Sequence, residues 1–473
     1  MISGPPNITR RTKIKKPLSI LGILLGTAVL LSLIKFTPAQ IVSTLVFLTV
    51  ICGTLFYWQF RLTFAFGGIA VLLATNLIDI PHVIEFAGLD IILFLVGMMT
   101  LIGYLEEKHF FEYLMAGVVD RVGHHAYLMM GVLMALATLF AALVDEVTSI
   151  LFMMSTMFHL VKRYKLNPIP FLLMLVFTTN IGSSATAVGN PIGVMIAMRA
   201  HLTVADFLRW ASPISLITLA VTIGLCFFLF RKDIRDLDKK MKAEKKNLDE
   251  AKHVTHKANE IRLCWFLFLG TVAFLVMHAH LEKLMGLDKN SMLLATSLGA
   301  AAVVILLNQG AAREFFMRRV DWWTLAFFMS LFASVGTLKY VGVTERIAEG
   351  MLSIGHHNPT GLLIVFTSAI SLLTGFMDNV LAVATFIPIL TEIGKSGIYI
   401  FPFWWGMLFG GTLYGNLTVI GSTANIVAMG MLEKEFKQNI KFMEWMKPGF
   451  IVSTITLVIA LFLIHLQIPL MPR

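Results

Sequence analysis

Thr178-Thr179-Asn180-Ile181-Gly182-Ser183-Ser184-Ala185-Thr186-Ala187-Val188-Gly189-Asn190-Pro191 interrupts an apolar run at about 169–200. A second polar stretch, Gly410-Gly411-Thr412-Leu413-Tyr414-Gly415-Asn416-Leu417-Thr418-Val419-Ile420-Gly421-Ser422-Thr423-Ala424-Asn425, interrupts the run at about 401–430 in the same way. Each run is too long for one simple crossing, which needs roughly 20 apolar residues. Glycines, an Asn-Pro and clustered hydroxyls disfavour a continuous helix through either centre. An unwound stretch exposes backbone carbonyls and half-helix ends that can coordinate ions or polar solutes. Close packing through small residues accounts for several glycines and serines. It accounts poorly for Asn190, Asn416 and Asn425 together.

Composition sets the class around these stretches. The chain has 473 residues, 57% hydrophobic and 14% charged, with a mean hydropathy of +0.80. Soluble domains carry about 25% charged residues. Three cysteines cannot build a disulfide framework, and long unalternating apolar runs argue against an outer-membrane barrel. An all-α polytopic membrane protein remains. The net charge of +10 does not mark a nucleic-acid binder. Between Arg231 and Arg262 lie 18 of the 66 charged residues, and five basic residues (Arg10, Arg11, Lys13, Lys15, Lys16) precede the first apolar run. These are loop charges that set membrane orientation.

Apolar runs at about 18–35, 40–58, 62–80, 89–105, 169–200, 212–230, 263–280, 290–308, 322–338, 401–430 and 449–468 predict about eleven transmembrane helices. Two more, 126–161 and 358–393, are broken by acids. Their second arms, Val147–Leu160 and Asn379–Ile393, hold only 14 and 15 residues and suit re-entrant hairpins. A cytoplasmic N-terminus then places the 231–262 loop, Lys162-Arg163, Arg313–Arg319 and Lys434–Lys447 on one side, as the positive-inside rule requires. The C-terminus is expected outside, and the bacterial cytoplasmic membrane is the expected location. No cleavage pattern follows the first apolar segment, so it is read as a retained helix. The sequon Asn7-Ile8-Thr9 and the pair Arg10-Arg11 are chance matches.

An internal repeat runs at an offset of 232–233 residues. Phe94, Gly103, Asp145, Pro170-Phe171, Thr186 and Gly189 match Phe327, Gly336, Asp378, Pro402-Phe403, Thr418 and Gly421, and His124-His125 matches His356-His357. By the crossing count the copies have opposite orientation, the signature of secondary transporters. The chain therefore divides into N-terminal scaffold helices (1–84), a first repeat (85–231), a charged cytoplasmic linker (232–262), further scaffold helices (263–317) and a second repeat (318–473). The linker is expected to be solvated, with at most a surface helix.

Asp145-Glu146-Val147-Thr148-Ser149 pairs by repeat with Asp378-Asn379-Val380. Each carboxylate at membrane depth costs about 2.5–3.5 kcal/mol on insertion scales, a cost that persists where a cavity, a bound cation or protonation relieves it. Ordinary surface loops would be the bland alternative, but no Gly or Pro turn residue sits at either acid. Candidate substrate- and ion-binding residues are Asp145, Glu146, Thr148, Ser149, Asn180, Ser183, Ser184, Thr186, Asn190, Asp378, Asn379, Asn416, Thr418, Ser422, Thr423 and Asn425. A sodium ion could sit among Asp145, Glu146 and Asp378. Cys52, Cys226 and Cys264 read as core fillers, Glu106-Glu107 as a helix end, and the histidine pairs as interfacial. No P-loop and no H-E-x-x-H occur.

At these residues the chain resembles the ion transporter superfamily, specifically its arsenite-permease and NhaD-type sodium–proton antiporter branch, with citrate and dicarboxylate carriers as more distant relatives. The resemblance rests on Asp145-Glu146-Val147-Thr148, on Asn180-Ile181-Gly182 through Gly189-Asn190-Pro191, and on Gly415-Asn416-Leu417-Thr418 through Asn425. It implies a homodimer in which an outer scaffold holds a mobile domain of two hairpins and two broken helices, working by elevator-like alternating access. Two positions depart from the pattern: Glu146 stands where the family usually has Asn, and Gly193 where an Asn often follows the first Gly-x-Pro.

The expected function is proton-coupled antiport of a small inorganic solute, either a cation such as sodium or a neutral oxyacid such as arsenous acid. The expected partners are that small ion and membrane lipid. Sodium-coupled citrate or dicarboxylate symport is the alternative, and an intramembrane enzyme or passive channel the rival of another class. No cofactor is expected beyond the coupling proton or sodium, no nucleic-acid partner, and no soluble ATPase partner is indicated.

Overall fold

The computed structural model describes residues 10–111, 113–114, 125–244, 258–354 and 358–472. His124, His356, His357 and the sequon at residues 7–9 lie outside them. Helices make up the described residues, with no strand among them. Four come first: α1 (Arg10–Leu33), α2 (Pro38–Phe56), α3 (Arg61–Ala74) and α4 (Ile80–Phe86). Then follow α5 (Leu89–Glu107), α6 (Ala126–Leu143), α7 (Glu146–Arg163), α8 (Pro168–Gly182), α9 (Pro191–Ala200) and α10 (Ser212–Leu229). The middle of the chain forms α11 (Arg231–Glu244), α12 (Ala258–Met285), α13 (Ser291–Leu307) and α14 (Ala312–Arg319). The last set is α15 (Trp322–Tyr340), α16 (Val343–Ile354), α17 (Pro359–Phe376), α18 (Asn379–Lys395), α19 (Phe401–Leu413), α20 (Thr423–Phe436) and α21 (Phe442–Gln467).

Helices α5 to α9 recur as α15, α17, α18, α19 and α20, the starts displaced by 233 residues in four pairs and 232 in the fifth. The starts are chemically marked. Thr37, Asn167, Asn190 and Asn358 each accept a backbone N–H at the head of a helix that opens on proline, where the missing amide costs nothing.

Seven helices among the described residues are at least 18 residues long and apolar enough to cross a membrane, and five apolar helices are shorter, at 10–17 residues. Five of the seven fall on the eleven expected crossings, and two, α6 and α17, are the first hairpin arms. Of the other expected runs, 18–35, 62–80 and 290–308 form apolar helices of 17 residues, 322–338 continues into α16 through a 70° bend, and 169–200 and 401–430 are divided. The run at 169–200 is α8 plus α9, of 15 and 10 residues. The run at 62–80 ends as a helix at Ala74. The second hairpin arms differ in the other direction: α7 holds 18 residues and α18 holds 17. Each continues past its last apolar residue, and Lys162, Arg163 and Lys395 sit in the final turn, where cations complement the helix dipole.

The linker also departs from the sequence expectation. α11 buries Ile234, Leu237 and Met241, spaced on one helical face, in the apolar core shared by α6, α7 and α8. Asp238 accepts the backbone N–H of Ala126 at 3.4 Å, and Lys240 donates to the Lys165 carbonyl at 3.1 Å. This half of the linker is docked rather than solvated.

In each set the first hairpin arm packs on its second arm and on the first half of the broken helix, α6 on α7 and α8, α17 on α18 and α19. Almost every residue of α8 and α19 is buried, which accounts for helices that are apolar all round. Two glycines allow the breaks to close against the hairpins. A Cβ on Gly189 would lie 2.7 Å from the Ala141 carbonyl, and one on Gly421 would lie 3.0 Å from the Thr374 carbonyl and 2.5 Å from that of Gly415.

Candidate solute-binding cavity

The acids are built into helix starts. Asp145 Oδ1 accepts the backbone N–H groups of Val147 and Thr148, both at 2.8 Å. Asp378 Oδ1 accepts those of Val380 at 3.0 Å and Leu381 at 3.4 Å. Both aspartates are thus N-caps, of α7 and α18, where the helix dipole favours negative charge. The second oxygen of Asp378 accepts the Thr423 hydroxyl at 3.1 Å, tying the second hairpin to the head of α20. Glu146, on the first turn of α7, is 3% exposed. Its Oε1 accepts the Ser422 hydroxyl at 3.3 Å, whereas its Oε2 is buried without a partner. It is the one such carboxylate oxygen among the described residues.

The two breaks cross at an amide cluster. Asn180 Nδ2 donates to Asn416 Oδ1 at 2.7 Å and to Asn425 Oδ1 at 2.9 Å, and its Oδ1 accepts the Ser422 hydroxyl at 2.9 Å. Asn425 Nδ2 donates to the carbonyls of Gly415 and Thr418, both at 2.8 Å. Asn416 Nδ2 donates to the Phe177 carbonyl at 3.2 Å, and Trp445 of α21 donates to the Asn416 carbonyl at 3.1 Å. Carbonyls released by unwinding are satisfied by side chains, as a water-poor interior demands.

The repeat is legible in these bonds. Thr186 donates to the Ala142 carbonyl, and its counterpart Thr418 donates to the Gly375 carbonyl at 2.7 Å. Asn190 caps α9 through the Gly193 N–H at 2.8 Å, and its counterpart Ser422 caps α20 through the Ala424 N–H at 3.2 Å.

A cavity of about 370 Å³ opens between the first hairpin tip, α3, α5, α15 and α20. Of the sequence candidates, Asp145, Glu146, Thr148, Asn190 and Thr423 line it. Asn180, Asn416, Ser422 and Asn425 form the cluster behind Glu146, and Ser183 holds Asn190 Nδ2 at 3.0 Å. Three candidates face elsewhere as ties: Ser149 donates to the Ala137 carbonyl at 2.8 Å, Ser184 pairs with Ser215 of α10 at 3.0 Å, and Thr186 binds the first hairpin arm. Asn379 is buried, and its side-chain oxygen accepts the Val380 N–H at 3.0 Å. Among the described residues no three His, Cys, Asp or Glu side chains converge closely enough to hold one metal ion.

The chief residue missed from sequence is Arg61. It is 7% exposed and lines the cavity. Its guanidinium lies 4.2 Å from the Trp58 ring centroid and 5.2 Å from that of Phe327, and donates to the Thr324 hydroxyl at 2.6 Å. Asp378 and Asp321 are within its electrostatic range, and its Nε has no partner. A lone arginine at the end of an apolar run reads as an interfacial charge, so only an unexpectedly buried basic residue could have signalled it. Glu106 is likewise more than a helix end: it pairs with Arg319 at 2.8 Å, and both line the cavity. Cys52, Cys226 and Cys264 are buried and free.

A family model described as citrate transporter matches residues 54–410 and 338–472. An uncharacterized transporter of Mycobacterium tuberculosis is 30% identical over 380 residues, covering 78% of this chain and 84% of that protein. The P protein of Homo sapiens is 26% identical over 462 residues, covering 81% of this chain and 54% of the longer human protein. The crystal structure of the Alcanivorax borkumensis YdaH transporter, described as revealing an unusual topology, shares the fold. Its TM-score is 0.54 at 15% identity, over 85% of this chain and 89% of that one. This chain is a multi-pass membrane protein of the secondary-transport class, and it belongs to the citrate transporter family.

Proposed function

We propose that the protein is a proton-coupled antiporter that exports a small inorganic solute, a cation such as sodium or a neutral oxyacid such as arsenous acid, through the cavity at Asp145 and Glu146. The observation that carries this reading is Glu146. It is buried, faces the cavity, and keeps one carboxylate oxygen without a protein partner. A proton or a cationic solute satisfies that oxygen, and only one of them at a time, which is the elementary requirement of exchange. Asp145 and Asp378 add negative charge around it, and Arg61 is the balancing cation nearby. Like charge in a low-dielectric site is costly, so a dianion enters such a cavity unfavourably. The resemblance to arsenite permeases and NhaD-type antiporters supports the inorganic solute.

The cavity opens among Trp58, Arg61, Glu106, Arg319 and Asp321, residues at the helix ends beside the basic loops. By the positive-inside rule that is the cytoplasmic face, and the conformation is then inward-facing. The cytoplasmic N-terminus, the external C-terminus, the bacterial inner membrane, the division into scaffold and inverted repeats, the homodimer and elevator-like access belong to the same proposal.

A second reading, sodium-coupled symport of citrate or another dicarboxylate, is favoured by the unpartnered Nε of Arg61 at the cavity and by the description of the family. Purified protein in liposomes distinguishes the two when proton movement is recorded on addition of sodium, lithium, arsenite or citrate. Sodium, lithium or arsenite evokes proton movement under the antiport reading. Proton movement evoked by citrate alone sinks the antiport reading, and citrate uptake that requires sodium and moves no protons establishes the second.

A further inference from the structure

We infer that a second cavity, at the opposite end of α15 from the first, is the far mouth of the solute path, and that the stacked rings of Phe328 and Phe332 are the partition between the two. The inference rests on the transport reading of the first cavity and is independent of which solute is carried.

The second cavity, of about 460 Å³, lies among α4, α5, α9, α15 and α18. Its walls repeat those of the first at the offset of 233 residues. Ile102, Gly103 and Glu106 of α5 line the first cavity, and their counterparts Val335, Gly336 and Lys339 of α15 line the second. Thr324 and Arg319 line the first, and their counterparts Ile91 and Phe86 line the second. The seating of the last pair is repeated as well. A Cβ on Gly103 would lie 2.7 Å from Arg319 Cβ, and one on Gly336 would lie 2.3 Å from the Phe86 ring. In each case the residue just ahead of one long helix rests on a glycine of the other. Chance grooves between helices do not share walls in this way.

The two mouths open on opposite faces. Asp321, at the first cavity, caps the head of α15, and Lys339, at the second, stands in its last turn. They are about 27 Å apart at 1.5 Å per residue, close to the roughly 30 Å of a bilayer core. Glu85, Arg199 and Lys339 line the second cavity, whereas a neighbouring groove among α3, α4 and α15 is lined by no charged side chain. Charged groups at membrane depth face water-filled space rather than lipid.

The cavities differ in what they reach. The first meets both hairpin tips, at Asp145 and Glu146 and at Val380, whereas the second meets the second hairpin at Ala384 and beyond. Phe328 lines the first cavity and Phe332, one turn on, lines the second, with ring centroids 6.1 Å apart and planes at 18°. Their counterparts in α5 are Leu95 and Met99, and both of those line the first cavity. Two stacked rings thus stand where the first copy has a leucine and a methionine beside open space. Gly88 supports the stack. Its φ of 63° is left-handed, and a Cβ there would lie 2.8 Å from the Phe332 ring.

The test places single added cysteines in the full chain, in right-side-out and inverted membrane vesicles, and follows their reaction with a charged thiol reagent. Wild type, whose three cysteines are buried, gives the baseline. Ile102→Cys and Phe328→Cys are expected to react at least about tenfold faster from the face of the basic loops, and Val335→Cys and Phe332→Cys at least about tenfold faster from the other, because a charged reagent does not cross lipid. The Ile102 and Val335 variants leave both rings in place, so the result does not hang on the folding of a ring variant. Complete labelling of Val335→Cys should then abolish transport, probed with sodium, lithium, arsenite and citrate. Reaction of Ile102→Cys and Val335→Cys from one face, or no reaction of Val335→Cys from either, as in a lipid-filled cleft, overturns the second mouth. Labelling of Phe328→Cys and Phe332→Cys from a single face overturns the partition. Undiminished transport after complete labelling overturns the route. A wild type that moves none of the four solutes overturns the antiport reading, while the labelling pattern still decides whether the two mouths and their partition exist.

Discussion

Replacing Asn180 with alanine removes the amide on which both broken helices converge. Three buried hydrogen bonds are lost: those to Asn416 Oδ1 at 2.7 Å and Asn425 Oδ1 at 2.9 Å, and the one accepted from Ser422 at 2.9 Å. Side-chain hydrogen bonds inside membrane proteins average about 0.6 kcal/mol, so three set a floor of about 2 kcal/mol. A buried polar group left unsatisfied costs about 1–3 kcal/mol, which sets a ceiling near 6 kcal/mol for the two acceptors alone. The upper half of that range is expected. Asn416 and Asn425 remain anchored through their Nδ2 groups to Phe177, Gly415 and Thr418, so their oxygens keep facing the vacated space. Asn180→Asp keeps the shape but deletes both donors, and it separates hydrogen bonding from volume; it should destabilise at least as much as alanine. The assay is thermal unfolding in detergent, followed by a thiol-reactive fluorophore that reports exposure of the buried Cys52, Cys226 and Cys264. A drop of several degrees is expected for both variants. Unfolding of Asn180→Ala within one degree of wild type would refute the idea that this amide cluster holds the breaks together.

Three further outcomes follow from the same geometry. Asp378→Asn retains a capping oxygen for α18 but cannot ionise, so coupled transport should be abolished while the elution profile and melting temperature stay near wild type; unchanged transport removes its assigned role. Gly421→Ala places a Cβ 2.5 Å from the Gly415 carbonyl, so the break must shift at a cost of about 1–3 kcal/mol, whereas Gly224→Ala meets nothing within 4 Å and should be neutral or slightly stabilising in the same melt. Lys162→Ala breaks an ion pair with Glu435 at 2.5 Å whose side chains are 49% and 41% exposed, and stability should change by no more than about 1 kcal/mol.

Local chemistry carried the sequence reading as far as it went. Asp145 and Asp378 stand out because an acid inside an apolar run is expensive and because each recurs at a fixed offset. The breaks stand out because glycines, hydroxyls and Asn-Pro cannot sustain a helix. Partner choice was not legible. Ser149, Ser184 and Thr186 have the composition of ligands, yet Ser149 and Thr186 donate to the Ala137 and Ala142 carbonyls of the first hairpin arm, and Ser184 donates to the Ile181 carbonyl beside Ser215, because a buried hydroxyl takes whichever acceptor the packed neighbour presents. Arg61 was invisible for the opposite reason. Its environment is assembled from α3 and α15, more than 260 residues apart, and no local pattern announces it. The docking of α11 could have been read from Ile234, Leu237 and Met241, but the density of charge around them hid the stripe.

Glu146→Gln tests the central claim most directly, since glutamine preserves the shape and the bond from Ser422 but cannot exchange a proton. In liposomes preloaded with the exported solute, solute-driven proton movement and solute–solute exchange are measured side by side. Loss of proton movement with retained exchange is the predicted result. Wild-type proton movement in Glu146→Gln would contradict the assignment of coupling to this carboxylate.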